Sequence, residues 1–495
     1  MADRTLSDID QAMSDATARR LARVRAPQPG RAATAPARPV QAAPRAEQGE
    51  TYDHLDVIVT ASLVLQFLSA AVLFAPGTQP LRTYVRAMPY IGALLPLGYY
   101  VTRHVRSWQP AGAGALIGAL LLLTLNLLHP TSQMSAGIAQ CIFQLAITAP
   151  MFWMSKAVRS TKQFQQMLVL VFLMNFVSAG LGVLQVYAPE RFLPGQFSTQ
   201  LREDYLGSLT YVGSDGRIIT RPPGLSDVPG GAAVAGGVAA VLGLGLTFRA
   251  TTPWQTAGAL AAVLVGVAVV YLTQVRSVFL MIVAAAMVLT LITLKLGRLG
   301  RASWLMVGGG AVLVGSFLWA TSLGGDVVNE RFVGISQQGA VGVFQQNRGS
   351  FLSETLGDLL TKYPLGAGVG RWGMMNTTFG DPNAFRAAPI HVEIQLTGWL
   401  LDGGLPMWLL YGGAVLISIF AAFRLAESPD PVIADLALIS VALQVFIAGL
   451  AMAGPIFNTQ MGVLFWSCAA GLHGASLGLR AGKPDGRTSP HGSHS

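Results

Sequence analysis

The feature that most constrains this chain is a recurrence. Apolar runs of about 18–22 residues return along most of its length, separated by short polar breaks. A run of that length is what an α-helix needs to cross a hydrocarbon layer of about 30 Å. Membrane-spanning β-strands would instead give segments of about ten residues that alternate apolar and polar, a pattern this chain does not follow. The sequence therefore predicts an all-α, polytopic membrane protein. Composition agrees: of 495 residues, 52% are hydrophobic and 12% charged, against about 25% charged in an ordinary soluble domain.

About twelve transmembrane helices are expected, near 56–75, 85–102, 111–128, 137–155, 166–187, 229–248, 255–273, 277–295, 302–321, 391–420, 431–451 and 457–478. The fourth, sixth and twelfth are rich in Ala and Gly, which lets helices approach closely. Residues 1–54 are rich in Ala, Pro and Arg and carry neither an apolar run nor a signal-peptide core. They are expected to form a disordered cytoplasmic tail, with room for a short helix near 5–24. The transmembrane domain is expected over 55–479 and a second disordered cytoplasmic tail over 480–495. The formal net charge of +9 reads as membrane anchoring and orientation, so no nucleic-acid partner is expected. Cys141 and Cys468 fall inside spans and read as small buried hydrophobes.

Lys and Arg set the orientation. With a cytoplasmic N-terminus, the inner loops hold Arg103, Arg106, Lys156, Arg159, Lys162, Arg249, Lys295, Arg298, Arg301 and Arg424. Among the outer loops, Arg82 and Arg86 lie near the first hairpin, and "HPTSQMSAG" and "AMAGP" carry no cation. Both termini are then cytoplasmic. Arg276, in "YLTQVRSVFLMI", breaks the rule by sitting at the outer face. The same map puts two long loops outside, near 188–228 and 322–390, the larger one between spans nine and ten. Loops that long inside a compact domain are usually functional or disordered. In the second, Phe351, Leu352, Leu356, Leu359 and Leu360 have helical spacing, so helices on the outer membrane surface are expected there.

Polar residues gather on that outer side. "TRPPGLSDVPGG" carries Arg221 and Asp227 just ahead of span six. Arg276 lies between spans seven and eight. "YPLGAGVGRWGMM" carries Arg371 on a Gly-rich turn, and Arg348 lies earlier in the same loop. "APIHVEIQLTGWLLDGGLP" carries His391, Glu393 and Asp402 at the start of span ten. Charges at membrane depth are costly and face a cavity or a partner. Arginine stays charged and offers forked donors that suit phosphate oxygens, so Arg221, Arg276 and Arg371 are candidate ligands of a lipid-linked phosphate or diphosphate. Such a set neutralises a leaving diphosphate without a metal. No His/Asp/Glu group has metal-ligand spacing, so neither a metal nor another cofactor is expected. His391 is the candidate general base, with Glu393 beside it, and Asp227, Arg348 and Asp402 are candidate supporting residues.

In this order, "RPPGLSDVPGGAA", "LTQVRSVFLM", "YPLGAGVGRWG" and "HVEIQLTGWLLDGGLPMWLLY" resemble the O-antigen ligase and polymerase-like membrane proteins, over about 166–420. The resemblance implies a glycosyltransferase of the bacterial inner membrane with its active site on the periplasmic side. Its donor would be an undecaprenyl-diphosphate-linked glycan. Its acceptor would be a sugar hydroxyl of a growing glycan or of lipid A-core, and transfer would be inverting and metal-independent. Arg221 and Arg276 match the family's diphosphate arginines, and His391 matches its histidine. The family often has Asn after that histidine and Pro-Asn after the first arginine motif. Here Val392 and Asp-Val-Pro-Gly stand in those places, which makes Asp227 and Glu393 candidate substitutes. A secondary transporter or flippase for a lipid-linked or anionic envelope precursor is the alternative. Against it, the link between spans six and seven is only "RATTPW" and no repeat relates the two halves. A scaffold subunit of envelope assembly would leave the charges at the membrane edge unexplained.

Overall fold

The computed structural model describes residues 54–75, 77–102, 109–193, 210–212, 216, 218–226 and 230–481. The chain divides into Met1–Thr51 and Tyr52–Ser495; all that follows concerns the second unit. The two expected tails, but for a residue or two, lie outside the described residues, as does Asp227.

The first half contains α1 (Val57–Phe74), α2 (Arg82–Thr102), α3 (Ala113–Leu125), α4 (Met134–Thr148), α5 (Pro150–Ala157) and α6 (Thr161–Tyr187). A short hairpin, β1 (Thr210–Val212) and β2 (Ile218–Thr220), then precedes α7 (Gly231–Leu246), α8 (Pro253–Thr273), α9 (Arg276–Lys295) and α10 (Leu299–Phe344). The last part holds α11 (Gly373–Phe379), α12 (Gln395–Met407), α13 (Gly413–Ala426), α14 (Pro431–Leu450) and α15 (Gln460–Ala481). Local chemistry sets several starts. The Asp56 carboxylate accepts from Ile58 N ahead of α1, Ser160 Oγ from Gln163 N ahead of α6, and Asp430 from Val432 N and Ile433 N ahead of α14. Pro253 and Pro431 take first-turn positions, where a missing N–H costs nothing.

Nine helical segments among the described residues are long and apolar enough to cross a membrane. The protein is thus a helical, polytopic membrane protein. The other three expected spans are helical too: α1 and α3 contribute the shorter apolar stretches Val57–Leu73 and Ala113–Leu128, and α2 contains Pro89 and Pro96. Span nine is expected to end at 321; in the structure helix continues to Gly325, where the backbone turns non-helical (φ 63°, ψ −153°), and further helix follows, through a second turn at Gly339 (φ 71°, ψ 160°), to Phe344. Positive φ favours glycine, so the chain turns there without leaving helix on either side. Helical and π turns continue through Lys362, which agrees with the apolar spacing of 351–360.

α7 is almost wholly buried, and it packs closely because it lacks side chains to hold neighbours off. A Cβ at Gly236 would stand 2.5 Å from Gly266 O on α8, and one at Gly266 would stand 2.4 Å from Gly236 O. Aromatic packing fixes α10 beyond its first break. The Phe332 ring meets Tyr271 edge-on at 4.7 Å and Phe279 at 5.5 Å, seating α10 on the ends of α8 and α9.

Candidate functional site

Three segments bring cations together. The first is the loop after β2. In the hairpin Tyr211 pairs with Ile219, and Arg221 follows two residues later. Pro222, Pro223 and Gly224 are buried, and Gly224 has φ +66°. The side-chain amide of Gln185 on α6 satisfies both backbone groups of Gly224: Nε2 donates to its carbonyl at 3.0 Å, and Oε1 accepts from its N–H at 2.9 Å. Ser178 Oγ accepts from Leu225 N at 3.1 Å. The Arg221 loop is thereby fastened to α6.

The second segment is the turn between α8 and α9, where Arg276 is the first helical residue. Gln274 makes the turn with φ 57° and ψ 28°, the only non-glycine residue with positive φ among those described. The third is α10. Arg331 donates Nε to the carbonyl of Gln274 at 3.2 Å and lies in the electrostatic field of both Arg221 and Arg276. Arg221 in turn acts on the Tyr211 phenol.

Four buried polar atoms of this group have no hydrogen-bond partner: Tyr211 OH, Arg221 Nε, Gln274 Nε2 and Arg276 Nε. Buried donors are nearly always satisfied, so orphans on residues linked by the Arg331–Gln274 contact and by the shared field of Arg221, Arg276 and Arg331 are candidates for contact with a ligand. Ion pairs among the described residues join Lys295 to Glu427, Arg298 and Arg301 to Asp435, and Arg348 to Glu393; none reaches Arg221, Arg276 or Arg331. Burial holds the Arg221 guanidinium below its ordinary pKa, partly offset by Tyr211, and it pushes the Tyr211 phenol up. Like charges that share one field, partly dehydrated and without an ion pair among the described residues, are the electrostatic setting that favours an anion.

His391 belongs to a second constellation. Residues 388–393 belong to neither helix nor strand, and their side chains divide between buried and exposed surroundings. Ile390 and Val392 pack on Ala367, Trp372 and Leu401. His391, between them, is 74% exposed and its Nε2 lies 2.7 Å from Glu393 Oε1. The other carboxylate oxygen of Glu393 pairs with Arg348 Nη1. Burial depresses the Arg348 guanidinium. An imidazole bonded to a carboxylate that is itself held by a cation is an oriented proton acceptor with an exposed ring.

Arg371 is turned toward main chain, and Asp402 holds a supporting position beside it. Arg371 is 7% exposed. Its Nη1 donates to Ala367 O at 2.8 Å, while Nε and Nη2 donate to Ala388 O at 3.1 and 3.0 Å. Its own carbonyl accepts from Ile390 N at 2.8 Å. Asp402, 1% exposed, accepts from Trp372 Nε1 at 2.8 Å. Both brace the segment that carries His391, and Arg371's donors are directed at main chain rather than at a ligand.

The residues singled out in the sequence therefore sort into Arg221 with Arg276, His391 with Glu393 and Arg348, and the scaffold pair Arg371 and Asp402. No hydrogen bond or ion pair links the first two groups. Both draw an arginine from one stretch of chain, Arg331 and Arg348. A cavity of about 640 Å³ is bounded by Leu225 and Ser226 of the Arg221 loop and by Trp372 and Met375 after Arg371. Tyr211, Gln185, Gln274 and Arg331 were not found from sequence. Gln274 had a visible signal, a polar residue two places before Arg276 in an apolar frame; Arg331 had none. Among the described residues, no group of three His, Cys, Asp or Glu side chains is placed to hold a metal ion. No family model matches this chain, and no curated protein matches it.

Proposed function

We propose that this protein is a membrane glycosyltransferase that uses a polyprenyl-diphosphate-linked glycan as donor and a sugar hydroxyl as acceptor. The observation that carries the reading is the set of orphaned buried donors on Tyr211, Arg221, Gln274 and Arg276 around Arg331. A diphosphate ester brings two negative charges and several acceptor oxygens, which suits three guanidiniums and two neutral donors. In this reading the twelve apolar helices all cross the membrane, both termini are cytoplasmic, and the arginines and His391 face the periplasm of a bacterial inner membrane.

In the reaction, the acceptor oxygen forms a bond to the anomeric carbon on the face opposite the diphosphate, and the carbon–oxygen bond to the diphosphate breaks with inversion. The electron pair leaves with the diphosphate, where Arg221, Arg276 and Arg331 stabilise the charge. His391, oriented by Glu393, receives the hydroxyl proton. The arginines do the neutralising that a divalent ion does elsewhere, so transfer proceeds in the presence of chelator.

The test is a strain lacking the protein, complemented with wild type or with Arg276→Ala, profiled for surface glycan and lipid-linked intermediates together. Single repeat units in place of long chains identify a polymerase. Long chains retained on the lipid carrier identify a ligase. A normal profile rejects glycosyl transfer and brings the transporter reading forward.

A further inference from the structure

We infer that Gln274 is a ligand residue of the anion site, a neutral amide donor held in place by a left-handed backbone conformation. The inference rests on the diphosphate reading above and adds to it an uncharged hydrogen bond that selects between anions.

Gln274 combines three properties seldom found together. It is 3% exposed. Its backbone has φ 57° and ψ 28°, a region that L-residues with a side chain avoid and that Asn or Gly usually fill. Its Nε2 is buried and has no partner. Each is unfavourable alone, and a site that keeps all three has them for a reason beyond folding. A glycine would make the same turn without strain.

The surroundings indicate what the amide awaits. Its main-chain carbonyl accepts Arg331 Nε at 3.2 Å. Arg276 begins the next helix two residues on, with its own Nε unpartnered. Every other orphan of the cluster can donate: Arg221 Nε and Arg276 Nε only donate, and Tyr211 OH can donate or accept. Carboxamide nitrogen is a donor only. The missing partner is thus an acceptor common to all of them, an oxyanion with more oxygens than one guanidinium can cover. A diphosphate meets that description better than a single phosphate.

The left-handed turn separates two duties of one residue. The carbonyl positions Arg331, and the side chain faces the anion. Substitution can therefore remove one and keep the other. Gln274→Gly retains the carbonyl and the turn and loses only the amide. Gln274→Glu retains size and replaces the donor by a carboxylate.

The experiment measures binding of inorganic pyrophosphate and inorganic phosphate to the purified full-length protein in detergent, by calorimetry, for wild type, Gln274→Gly, Gln274→Glu and Arg276→Ala. Wild type is expected to bind pyrophosphate more tightly than phosphate. Gln274→Gly is expected to weaken pyrophosphate by about tenfold, the worth of one hydrogen bond to a charged group, with thermal stability equal to or above wild type. Gln274→Glu is expected to weaken it further. Pyrophosphate binding unchanged in Gln274→Gly but lost in Arg276→Ala would overturn the role of Gln274 and leave the anion site standing. No pyrophosphate binding by wild type would overturn the diphosphate reading and the inference with it.

Discussion

Gln185 and Gly224 are joined twice, the glutamine's amide nitrogen to the glycine's carbonyl at 3.0 Å and its amide oxygen to the glycine's N–H at 2.9 Å. This is the contact a neighbouring strand would make, supplied instead by one side chain of α6. It holds the loop that carries Arg221. Gln185→Ala leaves two buried backbone groups unpaired, at about 1–3 kcal/mol each. Glycan transfer by this variant is expected to fall about tenfold or more, with the protein still in the membrane. Transfer at wild-type rate would show that Arg221 does not depend on the clamp.

Burial, and then the charges of Arg221 and Arg276, act against the charge on Arg331. Arg331→Ala is expected to reduce transfer by about 10²–10³, the effect of removing one donor from a preorganised charge site. Arg331→Lys recovers little, because a point charge lacks the guanidinium fork. Thermal stability of Arg331→Ala in detergent rises or holds, since like-charge repulsion is relieved. A large loss of stability in that variant would recast Arg331 as scaffold.

Arg371 predicts the opposite pattern. Its three donor nitrogens are engaged by Ala367 and Ala388 carbonyls. Arg371→Ala is expected to lower membrane protein level and thermal midpoint, with pyrophosphate affinity preserved in whatever folds. Asp402→Asn keeps an oxygen for Trp372 Nε1 and is expected to be mild; Asp402→Leu strands the indole N–H and costs about 1–3 kcal/mol. Affinity measured beside stability separates the two classes of arginine.

Glu393 touches both His391 and Arg348. Glu393→Gln keeps a hydrogen-bonding side chain and removes the charge. It is expected to reduce the rate at saturating acceptor more than acceptor affinity. Arg348→Met acts through Glu393, so the double variant is expected to be little worse than the worse single one. Additive losses in that cycle would mean that the two residues act separately.

Legibility differed residue by residue. Arg276 was visible because a permanent charge sat in an apolar frame with almost no loop around it. The apolar runs likewise made the helices readable, since length and hydropathy suffice for a span. Arg331 was invisible because its meaning comes from a contact with residue 274, far away in the chain and made only when Phe332 seats α10 on Tyr271 and Phe279. Arg371 was ambiguous for a related reason. A guanidinium beside glycines reads alike whether its donors turn outward to a phosphate or inward to carbonyls, and only the path of the loop decides. The end of span nine was legible to within a few residues, because Gly325 takes a non-helical conformation there, but the helix that follows it was read only from apolar spacing further on.

The crossing of α7 and α8 at Gly236 and Gly266 has a further consequence. The Arg221 loop enters α7 a few residues before Gly236, and the Gln274 turn leaves α8 about 12 Å beyond Gly266 at 1.5 Å per residue. The crossing therefore sets how far apart the two arginine-bearing segments begin. Neither glycine carries a functional group, yet one methyl at either would press on a carbonyl 2.4–2.5 Å away and lever the helices apart. If Arg221 and Arg276 grip one phosphate ligand, as proposed, the calibre of that grip is written in two absent side chains.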